Sequence, residues 1–393
     1  MHRTLYTPDH EAYRETVREF LAREVEPHFL SWESEHLIDR DIFPKAAEQG
    51  IYALAVPEEY GGAGETDYRY RLVVCEETAR IGATSLNMTL GLQDDLVLSY
   101  LLDLTTEEQK KRWLTGFVTG ELIGALAMTE PGTGSDLQGI RTNAHRDGGP
   151  DAAPDSDWIL NGSKTFISSA LTADFVIVAA RTDPDAGSRG FSLFVVERDM
   201  EGFKRGRKLE KVGLHAQDTG ELFFEDVRVP HTNLIGTEGH GLAHLMSHLP
   251  QERLGLIAIG YPAARAVYED TVRYCFDRTA FDKAIGDFQH SRFVLAEMST
   301  ELDAAEAYVD KCVLAFNAGE LTPVDAAKGK WFITELQKRI TDKCVQLHGG
   351  YGYMLEYPVA RAFIDSRVQT IYGGTTEIMK EIVGRDIAAR ARS

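Results

Sequence analysis

The period of the apolar residues changes twice along this chain, near residue 122 and again near residue 237, and no single repeating architecture survives both changes. In the first third, Tyr13, Val17, Phe20, Leu21 and Val25 recur at helical spacing until Pro27, which cannot continue a helix. The same period predicts helices over 43–53, 68–81 and 85–103. A further one is expected over 105–114, with Thr105 or Thr106 as its N-cap ahead of Glu107 and Glu108. From 122 the pattern shortens. Segments 122–128, 158–167, 174–181, 190–197 and 221–229 are rich in Ile, Val, Phe and Thr and lie between Gly, Asp and Pro turns, which predicts an antiparallel β domain. The run DGGPDAAPDSD (147–157) suits only a surface loop or hairpin tip. After 237 helical spacing returns over 239–276, 288–318, 323–347 and 375–391, with Pro250 expected to interrupt the first stretch and open a new helix. HGGYGYM (348–354) reads as a glycine-rich turn. The expected fold class is therefore α+β and multidomain: an N-terminal all-α domain over 1–121, a middle antiparallel β domain over 122–236 and a C-terminal four-helix bundle over 237–393.

Charge narrows the partners. Forty-two basic residues against sixty-one acidic ones leave a formal charge of −19, a surface that repels nucleic acid and anionic lipid. An anionic ligand then needs a local basic pocket, so any Arg or Lys inside a motif becomes a candidate ligand. Cys75, Cys275, Cys312 and Cys344 are far apart and form no CxxC pair, which fits a reducing compartment better than a disulfide framework or a zinc site. The stretch MHRTLYTPDHEAYRET has neither an apolar signal core nor an Arg/Ser-rich transit character, and no apolar run reaches the roughly 20 residues that a bilayer requires. The expectation is a cytoplasmic protein, or a mitochondrial matrix one if this is a mature eukaryotic form, with no nucleic-acid partner and no integral membrane association.

Common cofactor motifs are missing. No GxGxxG joins a strand to a helix, and no GxxxxGK[ST] marks a phosphate loop. GGAG at 61–64 lacks a flanking strand and reads as an ordinary loop. His240, His244 and His248 fall four apart, but without the carboxylate of an HExxH pair, and no metal site is expected there.

Other strings are more specific. AMTEPGTGSD (127–136), LNGSKTFIS (160–168), LFFEDVRVP (222–230), RTAFDKAIGDFQ (278–289), QLHGGYGYMLEYPVAR (346–361) and IYGGTTEIMKE (371–381) occur in this order over nearly the whole chain. Together they closely resemble the signatures of the acyl-CoA dehydrogenase family, and LPQER with IYGGT…EIMKE is most similar to its long-chain branch. The resemblance implies FAD as cofactor, acyl-CoA as substrate, electron-transfer flavoprotein as electron acceptor and a homotetramer. It implies that Met128 and Thr129 line the isoalloxazine, that Ser135 lies near both flavin and pantetheine, and that Phe166 and Ser168 complete the wall. Relatives often carry Trp where this chain has Phe166, and Phe keeps the flat face. Arg278 suits the FAD pyrophosphate, which a guanidinium binds in bidentate fashion. By the same resemblance Arg278, Phe281, Gln289, Gln346 and Gly350 reach the flavin of a neighbouring subunit, while Thr375 and Glu377 belong to the cofactor-binding C-terminal motif. Asp282 stands where the family more often has glycine.

Abstracting a proton α to a thioester carbonyl requires a carboxylate at Cα, with hydride leaving Cβ for flavin N5. Many relatives supply it as the Glu of Y-E-G-T; here the string is Tyr372-Gly373-Gly374-Thr375. In the long-chain and isovaleryl-type branches the base precedes an Arg on an earlier helix, and HLPQERLGLIAIG (248–260) matches that pattern. The resemblance thus makes Glu252 the base, Arg253 a substrate-site residue, and Gly374 part of the backbone that receives the thioester oxygen, with room left at Gly373. Asp94 and Asp95 are expected to cap or to face solvent, since a bare charge in the acyl tunnel would oppose a long alkyl chain. A long or otherwise bulky acyl group is the expected substrate, with trans-2-enoyl-CoA as product. A monooxygenase or oxidase on the same fold, and a flavoprotein without catalysis, are the alternatives.

Overall fold

The computed structural model describes residues 3–392. Helix α1 (Pro8–Glu24) buries Val17, Phe20 and Leu21 on one face and stops before Pro27. Helices α2 (Phe29–Glu35) and α3 (Ile42–Glu48) are short. The helix expected over 43–53 stops early because Gly50 takes a left-handed φ of 62°, and Ile51 and Tyr52 enter the core from a loop instead. Helix α4 (Tyr68–Arg80) follows as expected. Thr106, not Thr105, caps α7 (Glu107–Val118): it accepts the Gln109 N–H at 3.3 Å, while Gln109 Oε1 accepts the Thr106 N–H at 2.8 Å.

The stretch expected as one helix over 85–103 is α5 (Thr84–Gly91) and α6 (Leu98–Leu104) joined by a π-helical turn, Leu92–Val97. The wide turn releases Gln93 to pair with the backbone of Gly124, through N–H and carbonyl bonds of 2.9 Å each. It also corrects the expectation for the two acids. Asp95 is 4% exposed, takes the Tyr68 hydroxyl at 2.9 Å and pairs with buried Arg71 at 3.3 Å; Asp94 accepts the Ala53 N–H at 2.8 Å. Neither faces solvent freely. The partners lie outside the helix, where spacing along the chain cannot show them.

The middle domain is one sheet in the order β6 (Phe203–Lys208), β7 (Thr219–Val229), β3 (Trp158–Ser168), β2 (Asn143–Arg146), β4 (Phe175–Arg181), β5 (Phe191–Glu197), β8 (Leu234–Ile235). Most ladders are antiparallel, but β1 (Gly124–Ala127) lies parallel to β4, with Gly124 opposite Phe175. Residues 147–157 form the tip between β2 and β3, closed by Asp147 N–H to Asp157 carbonyl at 2.8 Å. Along β4, Phe175, Ile177 and Ala179 enter the core shared with the N-terminal helices, while Val176, Val178 and Ala180 enter the sheet's own core. Alternation therefore serves two buried faces.

Helix α8 (Gly241–Asp277) runs unbroken for 37 residues through Pro250 and Pro262, which overturns the expected interruption. Each proline denies one intrahelical bond, but residues 253–264 are all buried, and that packing favours a continuous helix. A hairpin of β9 (Thr279–Ala280) and β10 (Lys283–Ala284) leads into α9 (Gln289–Asn317), then α10 (Pro323–His348), α11 (Pro358–Ser366) and α12 (Thr376–Arg390). Helix α11 lay outside every predicted segment. Residues 349–353 form a 3-10 turn, and the C-terminal core includes Tyr68, Leu72 and Met88 of the first domain. The two helical domains thus share one core.

Candidate active site

Glu252, Gly255 and Leu256 share a face of α8, being three and four residues apart. Gly255 is required there: a Cβ would come within 2.7 Å of Asp95 Oδ2. Opposite that face, Gly373 and Gly374 take left-handed φ values of 58° and 94°, a pair that other residues adopt only under strain. Thr375 then caps α12 by accepting the Ile378 N–H at 3.3 Å. A Cβ placed on Gly373 would lie 3.5 Å from Glu252 Oε1 and one on Gly374 would lie 3.9 Å from Arg253 Nη2, so the LPQER helix and the YGGT turn converge on one spot. The space at Gly373 is not open, however. Leu256 Cδ1 would be 2.3 Å from that Cβ, so the leucine fills the room that was expected.

The polar groups at this spot are only partly satisfied. Glu252 Oε2, Arg253 Nε and the Tyr100 hydroxyl are buried without a hydrogen-bond partner. Burial pushes the Glu252 carboxyl up, against the pull of the Arg253 and Lys330 charges. Burial lowers Arg253, and Glu252 opposes this. Lys330, on α10, is fully buried and donates to the Gly374 carbonyl at 2.7 Å. Tyr100 stacks on His248 at 4.3 Å, and His248 Nε2 lies 3.0 Å from Asp103. His244 Nε2 instead accepts the Thr237 N–H at 3.1 Å. Lys330 and Tyr100 were missed in the sequence. For Lys330 a signal existed: it sits in the register of Ala326, Ala327, Ile333, Thr334 and Gln337, all buried.

A second group forms where β1 and β3 end. The Thr165 N–H donates to the Thr129 carbonyl at 3.0 Å, bringing Met128 and Thr129 beside Phe166 and Ser168. Buried Glu130 accepts the backbone N–H groups of Arg141 and Thr142 and the Lys164 ammonium at 2.9 Å, and Lys164 also binds the Met128 carbonyl at 3.0 Å. That clamp fixes the loop carrying Gly132, Gly134 and Ser135, which stands open to solvent. Phe166 has a φ of 59° and is 69% exposed, an apolar ring held outward at a conformational cost. A flat aromatic ligand fits such a wall, as an isoalloxazine would require. The π-helical turn touches both β1 and α8 and so links the strand that carries this wall to the helix that carries Glu252.

The third group lies at the far end of α8. Arg278 is exposed, and its guanidinium makes no hydrogen bond or ion pair among the described residues, although its charge acts on Tyr274. Phe281, 90% exposed, and Asp282 form the hairpin turn with φ values of 53° and 62°. Left-handed backbone at 282 explains why glycine suits that position, and Asp tolerates it. Gln289, Gln346 and Gly350 are exposed nearby, because Tyr274 stacks on His348 at 4.1 Å and ties the ends of α8 and α10 together. From Glu252 to Arg278 the helix advances about 39 Å at 1.5 Å per residue. One chain therefore does not bring Arg278 to Glu252. Glu377 is exposed in the first turn of α12, where its own N–H and the Thr375 hydroxyl lower its carboxyl.

Family models of the acyl-CoA dehydrogenase N-terminal, middle and C-terminal domains match residues 7–121, 125–227 and 239–388. The chain is 45% identical over 387 residues to the long-chain specific acyl-CoA dehydrogenase, mitochondrial, of Sus scrofa, covering 98% of this chain and 88% of that protein. A solved acyl-CoA dehydrogenase from Geobacillus kaustophilus matches with a TM-score of 0.93 at 46% identity, over 97% of this chain and 98% of that one. Butyryl-CoA dehydrogenase from Megasphaera elsdenii matches with a TM-score of 0.92 at 32% identity, over 99% and 100%. On the combined weight of the three-part fold, the three domain matches and full-length identity, the chain belongs to the acyl-CoA dehydrogenase family of FAD-dependent oxidoreductases.

Proposed function

We propose that this chain binds FAD and converts an acyl-CoA to the trans-2-enoyl-CoA, with Glu252 removing the α-proton. The supporting observation is the approach of Glu252 Oε1 to Gly373, which puts a carboxylate from α8 where many relatives place one from the YGGT position. Bound FAD supplies the hydride acceptor. Glu252 takes the proton on a carboxylate whose basicity burial has raised, Oε2 being free of any competing donor. The Gly374 N–H receives the thioester oxygen, and Arg253 holds the substrate beside it. Met128, Thr129, Phe166, Ser168 and Ser135 hold the flavin and pantetheine. Arg278, with Phe281, Gln289, Gln346 and Gly350, grips the cofactor of a neighbouring copy, as the roughly 39 Å along α8 requires. The assembly is a homotetramer, and electron-transfer flavoprotein takes the electrons.

The acyl group is long or bulky, in fatty-acid β-oxidation or related catabolism. Beyond Glu252, the same face of α8 meets Asp95 at Gly255, but Arg71 and Tyr68 already satisfy that carboxylate. An alkyl chain passing there meets a neutralised pair, which opposes it far less than a bare charge. The test is anaerobic mixing of oxidised enzyme with a panel of acyl-CoAs while recording flavin bleaching. Bleaching by long-chain substrates, abolished in Glu252→Gln, is the expected result. Stoichiometric H₂O₂ at each turnover would favour an oxidase instead, and no bleaching by any acyl-CoA would leave a flavoprotein without this chemistry.

A further inference from the structure

We propose that Lys330 is a positioning residue of the proton-transfer site, clamping the Gly373–Gly374 turn against α8 and holding a positive charge beside Glu252. The proposal rests on the reading of Glu252 as base. Three observations carry it. Lys330 is fully buried in α10, and the only hydrogen bond of its ammonium among the described residues is to the Gly374 carbonyl at 2.7 Å. Gly374 needs that anchor, since two consecutive left-handed glycines are the least constrained backbone of the turn. Among the described residues no carboxylate lies within hydrogen-bonding distance of the ammonium, although Glu252 is close enough to act on it through space. A buried lysine kept for stability alone would have a carboxylate partner.

The charges around the pair are few. Facing Lys330 are Arg253 and Glu252 from α8, Glu335 from α10 itself and Glu377 from α12. Facing Glu252 are Arg253, Lys330 and the Tyr100 hydroxyl of α6. Asp95 and Arg71 neutralise each other across Gly255, and His248, one turn earlier, is engaged with Asp103. The Tyr372 hydroxyl is taken by the Met88 sulfur at 3.1 Å. Arg253 exerts the larger pull on Glu252 and Lys330 adds to it in the same direction. Burial lowers the ammonium to about 8, so it stays charged at neutral pH.

The sign of the effect is defined. The Lys330 charge favours the ionised form of Glu252, so removing it raises the pH at which the base becomes competent. In FAD-loaded Lys330→Met, the acidic limb of the bleaching rate against pH should move up by about one unit, a tenfold change in ionised base at fixed pH. The plateau rate should also fall, on the order of tenfold, because the turn loses its anchor. Lys330→Gln can still donate to the Gly374 carbonyl but carries no charge, so it should show the moved limb with a smaller fall in plateau rate. It also serves if the methionine variant does not fold. A wild-type limb in whichever variant loads FAD overturns the proposal. Glu252→Gln, run alongside, separates the two failures: normal bleaching there sinks the base assignment, while a dead Glu252→Gln with an unshifted Lys330 variant sinks only the role of Lys330.

Discussion

Among the described residues two lysines are fully buried, one in the sheet domain and one in the helical bundle, and they are held in opposite ways. Lys164 has a carboxylate at 2.9 Å and a carbonyl at 3.0 Å, and its partner Glu130 is itself filled by two backbone N–H groups. Lys330 has one carbonyl, and the carboxylate beyond it keeps a buried oxygen unpaired. Burial lowers both ammonium groups to about 8. Burial with unequal partners separates a scaffold from a site: a closed network fixes a loop, and an open one waits for a ligand.

That contrast can be broken by mutation. Its sharpest edge is Glu252→Gln, which should slow flavin bleaching by roughly 10²–10⁴-fold while leaving the denaturation midpoint unchanged or slightly higher. Adding Gly373→Glu should restore part of the rate only when Leu256 is also trimmed to Ala, since Leu256 occupies that space. Recovery without the Leu256 change would show that the turn moves more freely than described. Lys164→Met should do the reverse. It strands the Glu130 charge and should lower stability by about 3–5 kcal/mol in urea titration, with FAD loss following unfolding rather than preceding it.

Arg278→Ala tests a third kind of charge, exposed and unpaired. Stability of the isolated fold should hold, while FAD affinity weakens by about 1.5–3 kcal/mol in equilibrium titration; full cofactor retention would count against its role. An effect confined to one pH range is expected at Asp94, where burial raises the carboxyl from 3.8 to about 7. The folded chain then holds a proton that the unfolded chain has released, so this contribution is complete below about pH 4 and is lost as pH rises to 7. Asp94→Asn should therefore gain stability over the parent at pH 8, by up to about 4 kcal/mol at roughly 1.4 kcal/mol per unit, and the gain should vanish near pH 4. A pH-independent difference would mean that Asp94 titrates normally.

Much of this architecture was legible from residue spacing. The face of α1 and the cap at Thr106 follow from local rules, and the strands of the sheet announced themselves by composition. What escaped was set by tertiary partners. Pro250 did not end α8 because packing outweighs one missing hydrogen bond, and β1 took a parallel partner that its four residues cannot specify. Asp95 depends on Arg71, twenty-four positions away in a different helix. Composition and spacing alone would have left Glu252 as a first-turn helix acid; its reading as a base came from resemblance, and contact with the Gly373 turn gave it surroundings. Lys330 was visible only as a charge in an apolar register.

The π-helical turn at Leu92–Val97 has a consequence for how such a chain can vary. It amounts to one surplus residue lodged in a helix, with the strain of accommodation spent on seating Gln93 against Gly124. Losing a single codon within that stretch would let the turn relax to ordinary α-helix. Everything after it in α6 would then swing by about 100°. Tyr100 would leave the side of Glu252, and Asp95 would leave Arg71. A three-nucleotide deletion there would thus act less like the loss of one side chain than like turning a key, rotating a whole lining of the pocket at once.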